Sequence, residues 1–214
     1  LSPLPMVEQE LAGLAGIQGS GATTLLNSGF TPGSFTTGFS DPAIRQIHIA
    51  SHAEIASGKE KIPLIFTKNA VIGLRDLARI RKRSGATTLD LVTLSACRSA
   101  VSADVLELGF ASLAVQMGSR SAIGTKWFVD DVSAAAFFLL FYENLSRGPT
   151  KAEALQATQR AFAGGEVRVE GNRVVGPKGI TLLSDVPDSY RHRYARGFRH
   201  PYYWAGMQMI GSPF

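Results

Sequence analysis

Cysteine is almost absent from this chain, with Cys97 alone among 214 residues. A single thiol excludes an internal disulfide and suits a reducing compartment, so the core and not crosslinks must hold the fold. Charged residues are also few, 18% against 45% hydrophobic, which excludes a disordered chain and points to one compact domain over residues 1–214. Long apolar runs are missing. The longest, Ala134 to Tyr142, is far below the roughly 18 residues of a membrane span, and no basic-then-apolar segment opens the sequence. A soluble, cytoplasmic protein with no membrane partner is therefore expected. The chain has neither a G-x-G-x-x-G turn nor a Walker-type lysine loop, which counts against a nucleotide-binding domain. His192 and His200 have no Cys/His cluster around them, so neither a metal nor a cofactor is expected.

Acidic residues are outnumbered, 17 against 22 basic, for a net charge of +5. That balance suits an acidic partner. Arg75, Arg79, Arg81, Lys82 and Arg83 gather in one predicted helix and Arg191, Arg193, Arg196 and Arg199 in one late loop, but neither stretch has the aromatic interleaving of a base-stacking surface.

What is present is an alternation of strands and helices. Ile44 to Ser51, Leu89 to Ser95 and Ser121 to Thr125 read as buried strands, and a last strand is expected over Tyr202 to Gly211. Helices are expected over Val7 to Ala15, Leu74 to Arg83, Leu106 to Met117 and Asp131 to Leu145, with a further one capped by Thr150. Ala22 to Leu26 reads as a short strand, Pro63 to Ile72 and Gly164 to Pro177 as hairpins, and Ser184 to His200 as loop. The pattern predicts an α/β fold, a mainly parallel sheet flanked by helices on both faces with an inserted surface hairpin.

In such sheets ligands bind beyond the carboxyl ends of the strands. His52 and Cys97 each follow the end of a predicted buried strand. On neighbouring strands they would face each other, and a thiol beside an imidazole becomes a nucleophile able to attack a peptide carbonyl. The resulting oxyanion needs preorganised donors, for which the backbone N–H groups of Ala53 and Cys97 are candidates. His48 reads as a structural residue of the strand. Asp131 reads as the cap of a helix starting at Val132. Arg98 is open between orienting a substrate carboxylate and pairing at a helix start, and Trp127, Tyr202, Tyr203 and Trp204 between core and pocket wall.

Four ordered segments, Ile-His-Ile-Ala-Ser-His at 47–52, Leu-Val-Thr-Leu-Ser-Ala-Cys-Arg at 91–98, Gly-Thr-Lys-Trp-Phe-Val-Asp-Asp at 124–131 and His-Pro-Tyr-Tyr-Trp-Ala at 200–205 followed by Gly211, resemble CHAT domains. These are relatives of caspases, separases and gingipain-type peptidases, often attached to tetratricopeptide repeats. The resemblance implies a caspase-like fold and a cysteine endopeptidase acting on a protein or peptide substrate, with His52 in the place of the base and Cys97 in that of the nucleophile. A pocket of Asp130 and Asp131 that selects a basic residue, as in several caspase-like peptidases, is the lesser alternative to the cap role of Asp131. The resemblance also implies an upstream repeat domain in the same polypeptide. Family members include peptidases recruited to RNA-guided immune complexes, and such an effector complex would give the positive charge a partner. Two positions depart from the family: Ala53 stands where glycine is usual, and Lys126 where an apolar residue is usual. A catalytically silent binding or regulatory domain of the same fold is the alternative.

Overall fold

The computed structural model describes residues 4–55, 63–67, 70–73, 88–95, 114–115, 118–127, 129–194 and 196–214. The chain divides into two compact units: residues 1, 25–128 and 207–212, and residues 2–24, 129–206 and 213–214.

In the first unit, strands β1 (Gln46–Ala50), β5 (Leu91–Ser95), β6 (Ser121–Thr125) and β10 (Met207–Gly211) form a sheet in the order β1-β5-β6-β10. β1, β5 and β6 run parallel, and β10 closes the row antiparallel to β6. All five residues of β5 are buried, as expected of a central strand covered on both faces. One face is covered by helix α2 (Pro32–Ser40), whose Phe35 and Phe39 cluster with Ile49, Val92, Leu94 and Ala122. A second sheet is an antiparallel meander of β2 (Ala53–Ile55), β3 (Pro63–Phe66) and β4 (Val71–Gly73), and Ile65 and Ile72 carry it into the same core.

Gly211 is fixed by close approach. Its φ is +103°, and a Cβ there would stand 2.2 Å from the Arg120 carbonyl oxygen, so only glycine lets β10 reach β6 at this end.

The second unit is built on helix α3 (Asp131–Leu145), which is buried continuously from Val132 to Tyr142. Helices α1 (Val7–Gln18) and α4 (Lys151–Gly164) pack against it. A Cβ on Gly13 would come within 2.5 Å of Leu139 Cδ2, and Asn144 donates to Thr158 Oγ1 at 3.0 Å across α3 and α4. Strands β7 (Arg168–Glu170), β8 (Arg173–Val175) and β9 (Thr181–Leu183) form an antiparallel sheet. Gly171, at φ +60°, and Asn172 make the two-residue turn between β7 and β8. Gln9 of α1 clasps the chain after β9, donating to the Ser184 carbonyl at 2.7 Å and accepting its N–H at 2.8 Å.

The fold class is the expected one, a mixed, mostly parallel α/β sheet with helices and a surface hairpin. Several elements differ from expectation. Residues 22–26 form no strand, the last strand covers only Met207–Gly211 because Pro201–Tyr203 is a 3₁₀ turn, and Asp188–Arg193 is a helix, α5. The helix expected over Leu74 to Arg83 lies outside the described residues, as does all but 114–115 of the one expected over Leu106 to Met117.

Candidate active site

The parallel strands β1 and β5 are direct neighbours, paired from Gln46↔Leu91 through His48↔Thr93 to Ala50↔Ser95. The offset is constant (91 − 46 = 45; 95 − 50 = 45). Beyond Ala50 the chain passes through buried Ser51 to half-buried His52, whose Nδ1 is buried, as is that of His48 within β1. Cys97 and Arg98 lie outside the described residues. In sequence, Cys97 is two residues past Ser95, as His52 is two past Ala50.

Strand β2 begins immediately after His52. The direction of its N–H groups follows from ladder parity. The Thr67 N–H donates to the Ala70 carbonyl at 2.8 Å. In an antiparallel pair, bonded and non-bonded positions alternate, so Phe66↔Val71 is non-bonded, Ile65↔Ile72 bonded and Leu64↔Gly73 non-bonded. Leu64 therefore turns its N–H and C=O toward β2, where it faces Glu54. The neighbours of Glu54, Ala53 and Ile55, point theirs away from β3. Pro63, opposite Ile55, has no N–H, and this parity requires none of it on the β2 side. Among the described residues β2 bonds to β3 alone, so the Ala53 N–H lies on an outer edge beside His52.

The β5–β6 pairing, Val92↔Ala122 and Thr93↔Ile123, has an offset of 30 (122 − 92). Trp127 follows the carboxyl end of β6 and is 36% exposed, with half-buried Lys126 before it. The first unit thus carries His52, Ala53 and Trp127 beyond the carboxyl ends of its parallel strands.

Asp130 and Asp131 belong to the second unit. The cap of α3 is Asp130, not Asp131, a correction of one residue. Asp130 accepts the Ser133 N–H at 3.0 Å and the Ser133 hydroxyl at 2.9 Å, and the Tyr194 hydroxyl donates to the same carboxylate. Asp131 is the first residue of the helix and accepts the Met6 N–H at 3.2 Å. Burial pushes the Asp131 carboxyl above the usual carboxylate range, against the lowering pull of that N–H. Burial and the neighbouring Asp130 likewise push the Tyr194 phenol up, and Tyr190 rises by burial and by Asp131. Sequence reading missed these tyrosines. Their signal was the spacing of Tyr190, Tyr194 and Phe198, which stack in turn with centroids 6.4 and 4.6 Å apart.

Among the described residues no group of three or more His, Cys, Asp or Glu is placed to hold a metal, and no helix is long and apolar enough to cross a membrane. The α/β sheet, with a histidine beyond one parallel strand and a meander directly after it, is consistent with the caspase-like fold. The CHAT domain family model matches residues 1–212, and the chain belongs to that family, which is related to cysteine peptidases. Among curated proteins none matches the chain.

Proposed function

We propose that this CHAT domain is a cysteine endopeptidase in which His52 is the general base and Cys97 the nucleophile. The observation that supports the reading is the in-register parallel pairing of β1 with β5, from Gln46↔Leu91 to Ala50↔Ser95, since His52 and Cys97 each follow one of these paired strand ends by two residues in sequence. The outward N–H of Ala53 supports it, because the group that would receive the oxyanion directly follows the base.

In the reaction, His52 takes the Cys97 thiol proton and the thiolate attacks the scissile carbonyl carbon, forming the C–S bond. The carbonyl oxygen becomes an oxyanion held by the N–H groups of Ala53 and Cys97. Collapse breaks the C–N bond, and the imidazolium returns its proton to the leaving amine. Water, deprotonated by His52, then hydrolyses the thioester and restores the thiol. The steps use side chains and backbone only, and the substrate is a protein or peptide. Trp127, exposed beyond β6, fits a wall for the substrate, and Arg98 is a further candidate to orient a substrate carboxylate.

Hydrolysis of a quenched peptide library tests the reading. Cys97→Ala and His52→Ala reduce turnover to background, whereas cleavage at the native rate by Cys97→Ala would overturn the proposal.

A further inference from the structure

Arg191, Arg193, Arg196 and Arg199 follow one another closely, and no Asp or Glu occurs from Ser189 to Phe214. The fold of the second unit separates the two chemistries of this stretch. Its aromatic side chains turn inward: Tyr194 and Phe198 are buried, stack with centroids 4.6 Å apart, and each meets the Tyr203 ring edge-on at 5.6 Å. Arg193, Arg196 and Arg199 are exposed. The backbone that carries them is pinned, with the Gly197 N–H donating to the Tyr194 carbonyl at 2.7 Å and the Trp204 indole N–H to the Arg199 carbonyl at 3.1 Å.

Among the described residues none of these three guanidinium groups is in an ion pair, whereas Arg147 and Arg168 of the same unit are neutralised by Glu143 and Glu170. Two of the three are nevertheless held in place. The Arg193 guanidinium lies 5.6 Å from the centre of the Tyr190 ring, and the Arg199 stem crosses Gly165, where a Cβ would stand 2.9 Å from its Cδ. Charges that are ordered without being neutralised have already lost part of the freedom that binding costs. We propose that Arg193, Arg196 and Arg199 dock an acidic segment of a partner protein, each guanidinium taking a carboxylate in the forked geometry that suits the pair. A peptide is favoured over a nucleic-acid strand because base stacking needs open ring faces beside the cations. Here the rings are the inner side of the segment, and Tyr202 alone among them is exposed, at 40%. None of these residues belongs to the catalytic groups proposed above, and docking here does not depend on cleavage.

Fluorescence anisotropy of a fluorescein-labelled oligoglutamate peptide tests the surface, with a neutral Gly-Ser peptide and an oligouridylate of equal length as comparison ligands. Oligoglutamate is expected to bind the native chain at about 0.05 M salt and to weaken as added salt screens the charges, while the Gly-Ser peptide does not bind. The triple variant R193Q/R196Q/R199Q is expected to weaken oligoglutamate binding about tenfold or more, equivalent to about 1.4 kcal/mol and within reach of three exposed charge pairs. R160Q/R173Q/K178Q removes the same charge from exposed positions elsewhere in the unit and is expected to change binding less than about twofold. Arg196→Glu disturbs neither the Tyr190 nor the Gly165 contact, and is expected to weaken binding about fivefold or more even if the first triple variant unfolds. No binding of oligoglutamate by the native chain, an equal loss in the two triple variants, or native affinity in Arg196→Glu overturns the proposal. So does tighter binding of oligouridylate than of oligoglutamate that is lost in R193Q/R196Q/R199Q, which would make the ligand a nucleic-acid strand.

Discussion

Asp130 is 6% exposed and its carboxylate accepts from the Ser133 N–H, the Ser133 hydroxyl and the Tyr194 hydroxyl. Asp130→Ala removes the cap of the helix at the centre of its unit and the carboxylate acceptor of two buried hydroxyls, of which Ser133 keeps the Asp130 backbone carbonyl at 3.2 Å. Loss of a cap costs about 1 kcal/mol, and loss of a hydrogen bond to a charged group about 1.5–3 kcal/mol. These groups act together, so about 3 kcal/mol is expected for the variant, not a simple sum. For a chain of this length that corresponds to a fall in Tm of about 6–12 °C. Asp130→Asn keeps one acceptor for the Ser133 N–H and costs about half as much. Urea denaturation followed by far-ultraviolet circular dichroism gives the ordering directly. Asp130→Ala within about 0.5 kcal/mol of the native protein, or Asn no better than Ala, would refute the assignment of this carboxylate to the helix start.

Three further expectations concern other parts of the chain. Burial raises the Asp131 pKa above 3.8, so the native state holds its proton more tightly than the unfolded chain. The stability it confers is full below about 3.8 and is lost as pH rises through the folded value, and urea titrations of Asp131→Asn should show that slope removed. Glu153 behaves oppositely: the Thr150 N–H and hydroxyl hold its carboxyl below 4.5. Its contribution is present above that value and is lost as pH falls through the folded one, and Glu153→Gln should flatten the acid limb of the stability curve. Gly211→Ala meets both an unfavourable φ, worth about 1–2 kcal/mol, and the Arg120 carbonyl, so it should destabilise by about 2 kcal/mol or more in urea melts.

The parallel sheet was legible because β1, β5 and β6 are short β-branched or apolar runs ended by turn residues, and a central strand buried on both faces needs no alternation. Helix α3 was legible from its apolar length, and α4 from its cap Thr150, to which the structure adds Glu153 as the reciprocal partner. Helix α2 was missed because Gly33, Gly38 and its serine and threonine residues are weak helix formers. Its start signals were nevertheless present, with Thr31 as cap, Pro32 next and Ser34 closing the box. Strand β9 has only three residues and is paired to β8 by tertiary structure, beyond the reach of local pattern. The ladder that aims the Ala53 N–H outward depends on Leu64 and Thr67, residues with no signature of function in the sequence. At the candidate site, His52 was legible in the sequence, and the structure adds that the strand before it pairs in register with β5.

The central claim, that His52 activates Cys97, is tested most directly by the pH dependence of Cys97 alkylation with iodoacetamide in the native protein, in His52→Ala and in denatured chain. The account predicts native labelling that persists well below the ordinary thiol pKa of about 8.5, and a profile for His52→Ala that moves back to that value. Superimposable profiles for all three would contradict it.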